Sequence, residues 1–192
     1  MINFSLVTLN RKNIADFAKE RNILLGKSKF DWVLFLDSDE KLSKELIKEI
    51  SDLDASGYSG FFIKRKIIFL GREIGEDVVL RLGRRNSGKW VRKVHETWNI
   101  KGKTGCLKNY IIHHTADNLH EYIEKINRYS DIHAKENMRE GKKSNISKII
   151  FYPKAKLIQN LFQGRGFVFS MLQSFHSFLG WVKQWELQRK SN

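Results

Sequence analysis

The apolar positions of the first 53 residues switch between the period of a strand and the period of a helix. Residues 2–7 alternate apolar and polar side chains as a half-buried strand does, whereas the apolar positions of residues 14–26 follow helical spacing. Residues 32–36 are all apolar, and this run is too short for a helix, so it predicts a strand buried on both faces. Ser43 is a suitable N-cap for a second helix that extends to Leu53. The order strand, helix, strand, helix predicts an α/β fold.

Beyond Gly57 the chain consists of short segments with strand character that are separated by glycines. Four strands are predicted here, at residues 60–70, 78–84, 90–100 and 107–114. Such closely spaced strands favour a mixed or antiparallel extension of the sheet. A long amphipathic helix is then predicted from Leu119 to near Gly141.

The last part of the chain is predicted to be a basic, aromatic tail of amphipathic helices at residues 142–192, following a domain at residues 1–141. Residues 166–182 contain no charged side chain. One face of a helix through this stretch would carry Val168, Met171, Leu172, Phe175, Phe178, Leu179, Val182 and Trp185. An aromatic helix with basic flanks can lie among the headgroups of an anionic membrane. The alternative is that this helix packs on the domain, on a second copy of the chain or on a partner subunit.

The charge distribution points to an anionic partner. The 192 residues carry a net charge of +14, which is concentrated at residues 81–108 and 142–192, each with nine basic side chains and one acid. A single cysteine, Cys106, excludes a disulfide framework and a thiolate zinc site, and fits a reducing cytoplasm. No stretch approaches the ~20 apolar residues that a spanning helix needs. We therefore expect a cytoplasmic protein, peripheral at the inner face of the cell membrane.

The strongest chemical signal is the acidic sequence Asp37-Ser38-Asp39-Glu40, directly after the predicted buried strand. In open α/β sheets, ligands bind beyond the carboxyl ends of the strands. Two carboxylates separated by one residue at this position can share Mg²⁺ or Mn²⁺, which prefer oxygen ligands and accept phosphate oxygens at their open positions. The motif alone is common on surface turns, and its place after five apolar residues gives it weight.

Several segments in order resemble family 2 glycosyltransferases, from about residue 13 to the C-terminus. Residues 15–22 and 29–40 are similar to the part of that family that joins the nucleotide site to the metal motif. Residues 94–96, 107–109 and 122–130 resemble a branch that includes enzymes of bacterial lipopolysaccharide core synthesis. The resemblance implies a GT-A fold, inverting transfer of a hexosyl- or heptosyl-type sugar from a nucleotide-sugar donor, and a glycan or lipid-linked acceptor. It also implies Mg²⁺ or Mn²⁺ at Asp37 and Asp39.

Members of this family normally begin with a further βαβ portion that carries the acidic residue for recognition of the base. The sequence begins at what resembles the last strand of that portion. The fold expected here is therefore a truncated GT-A fold with a mixed sheet.

Two carboxylates are candidates for the base that removes a proton from the acceptor hydroxyl. Glu96 is the one acid in the basic block 81–108, and the resemblance places it at the active centre, with Asp77 holding the acceptor. The roles could be reversed, or Glu96 could form a structural ion pair with Arg92 or Lys93.

Other residues are expected around the donor. His95 could be a third metal ligand or a hydrogen-bond donor to the diphosphate. Arg21 and Asn22 could bind the diphosphate or orient the strand that follows them, and Arg84 could bind phosphates of donor or acceptor.

Two other functions remain open from the sequence. A basic nucleic-acid-binding protein would fit the net charge but leaves the acidic motif unexplained, so nucleic acid is disfavoured as a partner. A non-catalytic glycosyltransferase-like subunit would fit the absence of the base-recognition portion.

Overall fold

A computed structural model describes residues 2–9, 14, 16–92 and 96–191. The chain divides into two units, of which unit 1 comprises Met1–Ile68 and Glu76–Thr115, and unit 2 comprises Phe69–Gly75 and Ala116–Asn192. The predicted α/β fold with a mixed sheet is confirmed.

Unit 1 contains two helices and the main part of a six-stranded sheet. Its elements are β1 (Phe4–Leu9), α1 (Phe17–Gly26), β2 (Trp32–Asp37), β3 (Glu40–Leu42), α2 (Lys44–Ser51), β4 (Gly60–Phe69), β5 (Arg72–Arg84), β6 (Gly88–Val91), β7 (Thr97–Ile100) and β8 (Thr104–Ala116). The strand order is β1-β2-β5-β4-β8-β3, and β6 and β7 form a separate antiparallel pair. Strands β4, β5 and β8 extend into the residues of unit 2.

The first part of unit 1 follows the predicted order strand, helix, strand, and it forms a βαβ arrangement because β1 and β2 are parallel neighbours connected through α1. Asp16 caps α1 by accepting a hydrogen bond from the backbone N–H of Lys19 at 2.9 Å. Ser43 caps α2 in the same way through Leu46, as predicted. These caps satisfy amides that would otherwise lack partners at the helix N-termini.

Strand β2 is buried on both faces, as its unbroken apolar run predicts. Trp32, Leu34 and Leu36 lie in a core with Leu46 and Ile50 of α2. On the other face, Val33 and Phe35 pack with Ala18 and Leu25 of α1 and with the two tryptophans Trp90 and Trp98. Burial on both sides holds the end of this strand in a fixed position.

The short connection between β2 and β3 requires the sheet to curl. Only Ser38 and Asp39 separate β2 from β3, yet three strands lie between them in the sheet order. The far edge strand therefore returns to the carboxyl end of β2, and β3 pairs with β8 so that Glu40 lies opposite His113. This closure brings β3 and β8 next to the acidic motif.

Two strand predictions need correction. The strand predicted at residues 90–100 is two strands, in which Trp90 pairs with Trp98, and Arg92 after β6 has a positive φ of 70° that interrupts the extended backbone. The strand predicted at residues 78–84 begins earlier, at Arg72. Gly75 is one of the glycines predicted to separate the strands, but it lies within β5, where its φ of 131° is accessible to glycine.

Unit 2 consists of three helices and the turn between β4 and β5. Its helices are α3 (Leu119–Arg139), α4 (Ile146–Phe162) and α5 (Phe167–Ser191). Its core contains Phe69, Ala116, Tyr122, Ile126 and Phe169. Helix α3, which the sequence analysis assigned to the first domain, here belongs with the tail helices. Within the described part of the chain, no helix is both long and apolar enough to cross a membrane.

Candidate functional site

Asp37 ends β2 and accepts hydrogen bonds from two arginines. Arg21 of α1 donates from Nη2 to Oδ1, and Arg81 of β5 donates from Nη2 to Oδ2 at 2.5 Å. Burial alone would raise the pKa of Asp37, but the charges of Arg81 and Arg21 outweigh it and lower the pKa below its ordinary value of 3.8. Asp37 is therefore an ionised carboxylate at neutral pH.

Glu40 is the structural centre of the acidic motif. Its Oε2 accepts a hydrogen bond from the backbone N–H of Asp37 at 2.9 Å, which closes the turn between β2 and β3. Its Oε1 accepts from Arg81 at 3.0 Å and from Arg65 at 2.7 Å. Burial alone would lower the pKa of Arg81, but Asp37 and Glu40 raise it above its ordinary value. This buried carboxylate holds two guanidiniums in place.

Arg65 connects Glu40 to Asp77. The guanidinium of Arg65 makes a two-pronged ion pair with Asp77, with Nε to Oδ1 at 2.9 Å and Nη2 to Oδ2 at 2.7 Å. Such a paired arrangement is the strong form of an arginine–carboxylate contact. Asp77, the predicted acceptor-binding residue, is thus brought into the same group of charged side chains as Asp37.

Arg21 connects Glu96 to Asp37. The same guanidinium that contacts Asp37 donates from Nε to Oε1 of Glu96 at 3.0 Å. Its central carbon lies 4.6 Å from the ring centroid of Trp90, so the charge rests on an aromatic face. The sequence also allowed a structural ion pair of Glu96 with Arg92 or Lys93, and Lys93 lies outside the described residues. The structure shows an ion pair of Glu96 with Arg21.

Asp39 lies in the turn beside this group. Its Oδ2 is 3.4 Å from Nε2 of His113, and its backbone oxygen accepts from the N–H of His114 at 2.8 Å. The second acid of the motif is therefore fixed by β8. The side chains of Asp37 and Asp39 are about equally exposed, at 30% and 29%.

Together these side chains form a group here called the carboxylate cluster. It consists of Asp37, Asp39, Glu40, Asp77 and Glu96 with Arg21, Arg65 and Arg81. A chain of ion pairs runs through it from Glu96 by way of Asp37 and Glu40 to Asp77, and the charge of Asp39 acts on Asp37 from beside that chain. Five carboxylates face three guanidiniums, which leaves two negative charges within the cluster.

The cluster fits a hard divalent cation in charge and in donor type. Mg²⁺ or Mn²⁺ would neutralise two negative charges, and carboxylate oxygens such as those of Asp37 and Asp39 are the donor type that these cations prefer. No group of three or more His, Cys, Asp or Glu side chains among the described residues is arranged to hold a metal ion. His95, the predicted third ligand, lies outside the described residues.

Asn22 has a structural contact with β6. Its side-chain amide donates to the carbonyl of Trp90 and accepts from the N–H of Trp90, both at 2.9 Å. This pair of bonds joins α1 to β6 next to the Arg21–Trp90 contact. Asn22 also lines an open cleft of about 560 Å³ on the surface of unit 1.

Arg84 is not brought to the cluster. It pairs in register with Trp32 at the beginning of β2, on whose ring it stacks at 4.9 Å, and it binds Asp31 at 2.5 Å. Asp37 lies at the other end of β2, roughly 16 Å away for a strand of this length. Within the part of the chain that the structure describes, Arg84 therefore contacts residues at the start of β2 and not the carboxylates at its end.

The roles of three members of the cluster were not predicted from the sequence: Glu40 as the partner of two arginines, and the arginines Arg65 and Arg81 themselves. A signal existed for Arg81, which stands between Leu80 and Leu82 in an apolar strand. No signal distinguished Arg65, since it lies between Lys64 and Lys66 in a basic run.

The chain is similar to bacterial glycosyltransferases over most of its length. It is 29% identical over 187 residues to an uncharacterized glycosyltransferase of Rickettsia typhi, covering 84% of this chain and 64% of that protein. A lipopolysaccharide core biosynthesis glycosyltransferase, LpsC of Rhizobium meliloti, is 26% identical over 180 residues, covering 85% and 67%. The chain is homologous to glycosyltransferases. No protein-family model matches it.

This homology confirms the glycosyltransferase resemblance found in the sequence. An uncharacterized glycosyltransferase of Rickettsia prowazekii, 28% identical over 187 residues, agrees with it. The chain spans 64% of the length of both Rickettsia relatives.

Proposed function

We propose that the chain transfers a sugar from a nucleotide-sugar donor to a glycan or lipid-linked acceptor in the synthesis of a cell-envelope polysaccharide or lipopolysaccharide. The observation that carries the proposal is the carboxylate cluster at the carboxyl end of β2, in a chain homologous to glycosyltransferases. The name of LpsC supports the cell-envelope setting. We further propose family 2, a GT-A type site and inversion at the anomeric carbon.

In this proposal Asp37 and Asp39 hold Mg²⁺ or Mn²⁺. When bound, the cation supplies positive charge for the diphosphate that leaves the donor. The low pKa of Asp37 supports this role, because a metal ligand must be ionised. His95 as a third ligand and Asn22 and Arg84 as donor contacts remain predictions.

Glu96 is proposed as the base and Asp77 as the acceptor-binding residue. Arg65 donates hydrogen bonds to both oxygens of Asp77, so each oxygen of that carboxylate is already engaged in an ion pair. Arg21 engages Glu96 through Oε1, which leaves Oε2 as the atom that would take the proton from the acceptor hydroxyl. Arg21 thereby orients Glu96 relative to Asp37.

Metal-dependent nucleotide binding tests the proposal. We expect uridine, guanosine or cytidine nucleotides to bind in the presence of Mn²⁺ or Mg²⁺, measured by calorimetry, and the binding to weaken strongly with a chelator. Asp39→Asn should abolish the metal dependence, whereas Asp31→Asn, a carboxylate at the other end of β2, should retain it. Binding that is indifferent to chelator and to Asp39→Asn would contradict the metal role.

One observation favours a second candidate, a non-catalytic glycosyltransferase-like subunit. Both oxygens of Asp37 already accept hydrogen bonds from guanidiniums, so arginine charge already stands where the cation is proposed. Donor hydrolysis distinguishes the two functions. A catalytic chain should release free sugar slowly from its bound donor in the presence of metal, and a scaffolding subunit should not.

A further inference from the structure

Helices α4 and α5 expose hydrocarbon at the turn that joins them. Phe162 at the end of α4 is 89% exposed and Phe167 at the start of α5 is 65% exposed. Between them, Gly164 and Gly166 have φ values of 70° and 73°, which suit glycine and allow a tight turn. We refer to residues 161–168 as the hairpin tip.

The exposed hydrocarbon continues from the tip along α5. Val168, Met171, Phe175 and Phe178 are exposed and recur at the three- and four-residue intervals of one helical face. The buried face of the same helix contains Phe169, Ser170, Trp181 and Gln184. The exposed stripe is therefore distinct from the packing surface of unit 2.

This arrangement corrects the face predicted from the sequence. Leu172 and Leu179, assigned to the same stripe as Phe175, pack instead against the core of unit 2. Trp181 is buried, and its ring lies 4.8 Å from that of Tyr152 in α4. Packing within the hairpin thus uses part of the apolar surface, and the remainder is the stripe described above.

Helix α4 adds an apolar surface that the sequence analysis did not identify. Its exposed apolar residues include Ile150, Phe151, Ile158, Leu161 and Phe162. Exposed apolar residues occurring singly are ordinary, but a group of this size marks an interaction site.

The charge around these residues selects the partner. Residues 142–192 carry nine basic side chains and one acid, Glu186. Several basic groups lie at the apolar surface itself: Arg165 is in the tip, the ammonium of Lys154 is 6.0 Å from the ring centroid of Phe151, and Arg189 lies 4.8 Å from that of Trp185. Aromatic and aliphatic side chains bordered by cations match the interface of an anionic bilayer, where the hydrocarbon enters the acyl region and the cations meet phosphates.

We propose that the α4–α5 hairpin docks the protein on anionic membrane, with the hairpin tip inserted at the level of the headgroups. The docking does not depend on glycosyl transfer, and its test uses no enzymatic readout. If the proposed function also holds, the same surface gives access to a lipid-linked acceptor.

Sedimentation of the full chain with vesicles tests the proposal. The chain should bind vesicles of phosphatidylcholine mixed with phosphatidylglycerol, and bind much less to phosphatidylcholine alone. Phe162→Ser with Phe167→Ser should weaken binding by about 10-fold or more for each residue. The matched control is Leu6→Ser with Val78→Ser, two exposed apolar residues of unit 1, which should bind as the unchanged chain does.

Charge variants separate the electrostatic contribution to vesicle binding from the hydrophobic one. Lys154→Gln with Arg165→Gln should weaken binding by about fivefold per charge, whereas Lys41→Gln with Lys44→Gln in unit 1 should leave it unchanged. High salt should abolish the effect of the charge variants but not that of the phenylalanine variants. Circular dichroism should show the same fold and melting for all variants.

Two results would overturn the proposal. One is equal sedimentation of the unchanged chain and the phenylalanine double variant. The other is a chain that ignores vesicles but is dimeric by light scattering and becomes monomeric with the phenylalanine variants, which would assign the tip to a second copy.

Discussion

Proteins usually bury apolar side chains and expose charged ones. The carboxylate cluster of unit 1 departs from this rule by burying charges, and the α4–α5 hairpin of unit 2 departs from it by exposing apolar side chains. In unit 1 the chain buries charges, with Arg21, Arg81 and Glu40 nearly inaccessible to water. In unit 2 it leaves large apolar side chains exposed, Phe162 most of all. Charged residues are almost never fully buried without partners, and grouped apolar residues are rarely left in water.

The two regions differ in the location of the groups that their side chains contact. The buried charges are paired within the chain by side chains from α1, β2, β3, β4 and β5. In the docking proposal, the exposed apolar residues of the hairpin find their partner in the membrane. A site for small ligands can be preorganised by internal contacts, whereas a docking surface is completed only on binding. Substitutions should therefore have different consequences in the two regions.

The largest effect is expected on the rate of sugar transfer. Glu96→Gln should lower kcat by about 10²–10⁴-fold, because the amide cannot accept the proton of the acceptor hydroxyl. The glutamine can still accept a hydrogen bond from Arg21, so nucleotide affinity by calorimetry should change little. Asp77→Asn should instead raise KM for the acceptor more than it lowers kcat. A loss of kcat in Asp77→Asn with normal turnover in Glu96→Gln would exchange the two roles.

A slightly smaller effect is expected on stability when the buried ion pairs are broken. Arg81→Met should reduce the free energy of unfolding by about 3–5 kcal/mol, because Glu40 keeps its buried charge and loses one of its two arginine partners. Arg139→Met is the control, since it removes an exposed pair with Glu136 and should cost less than about 1 kcal/mol. Urea unfolding measures both. Equal losses would show that the burial of charge has no special importance in unit 1.

The sequence was sufficient to predict the parts of the fold that depend on local pattern. The buried strand β2, the Ser43 cap and the long helix α3 each have a periodicity or residue type that only one structure satisfies. The position of Asp37 followed, because a residue directly after such a strand must emerge at the edge of the sheet.

Features that depend on long-range contacts were not predictable. Arg65 and Glu40 are 25 residues apart, and Arg21 and Glu96 are 75 apart. The Arg65–Glu40 contact requires the curl of the sheet, and the Arg21–Glu96 contact requires the β6–β7 pair to pack beside α1; no local pattern encodes either arrangement. The face of α5 was predicted only in part, because periodicity identifies an apolar face but not how a neighbouring helix divides it between buried and exposed residues.

Truncation of one apolar side chain in each region tests the same difference between unit 1 and the hairpin, with a smaller expected change in the free energy of unfolding. Leu34→Ala in β2 should lower the free energy of unfolding by about 3 kcal/mol, since the side chain is fully buried and its removal leaves a cavity. Phe162→Ala removes a larger side chain but should change stability by no more than about 0.5 kcal/mol, because it contacts mostly water. Thermal or urea unfolding measures the pair. A large loss with Phe162→Ala would mean that the tip supports the fold of unit 2.

The smallest effect is a pH dependence in the core of unit 2. Burial raises the pKa of Tyr122 to about 12, against the opposing effects of the hydrogen bond from Gln173 and the charge of Arg165. The folded protein therefore favours the neutral phenol, whereas the unfolded chain ionises it near pH 10.

The stability from Tyr122 is complete below pH 10 and is lost as the pH rises toward 12. Between pH 9 and pH 12, the unchanged chain should lose about 2 kcal/mol more than Tyr122→Phe, which has no phenol to ionise. Urea unfolding across this range, compared between the two chains, removes the contribution of lysines and other tyrosines that titrate in both. Tyrosinate absorbance gives an independent check, because Tyr122→Phe should remove a late-titrating group. Parallel stability curves for the two chains would mean that water reaches the phenol, and that the core of unit 2 is less tightly packed than its contacts with Phe69 and Phe169 imply.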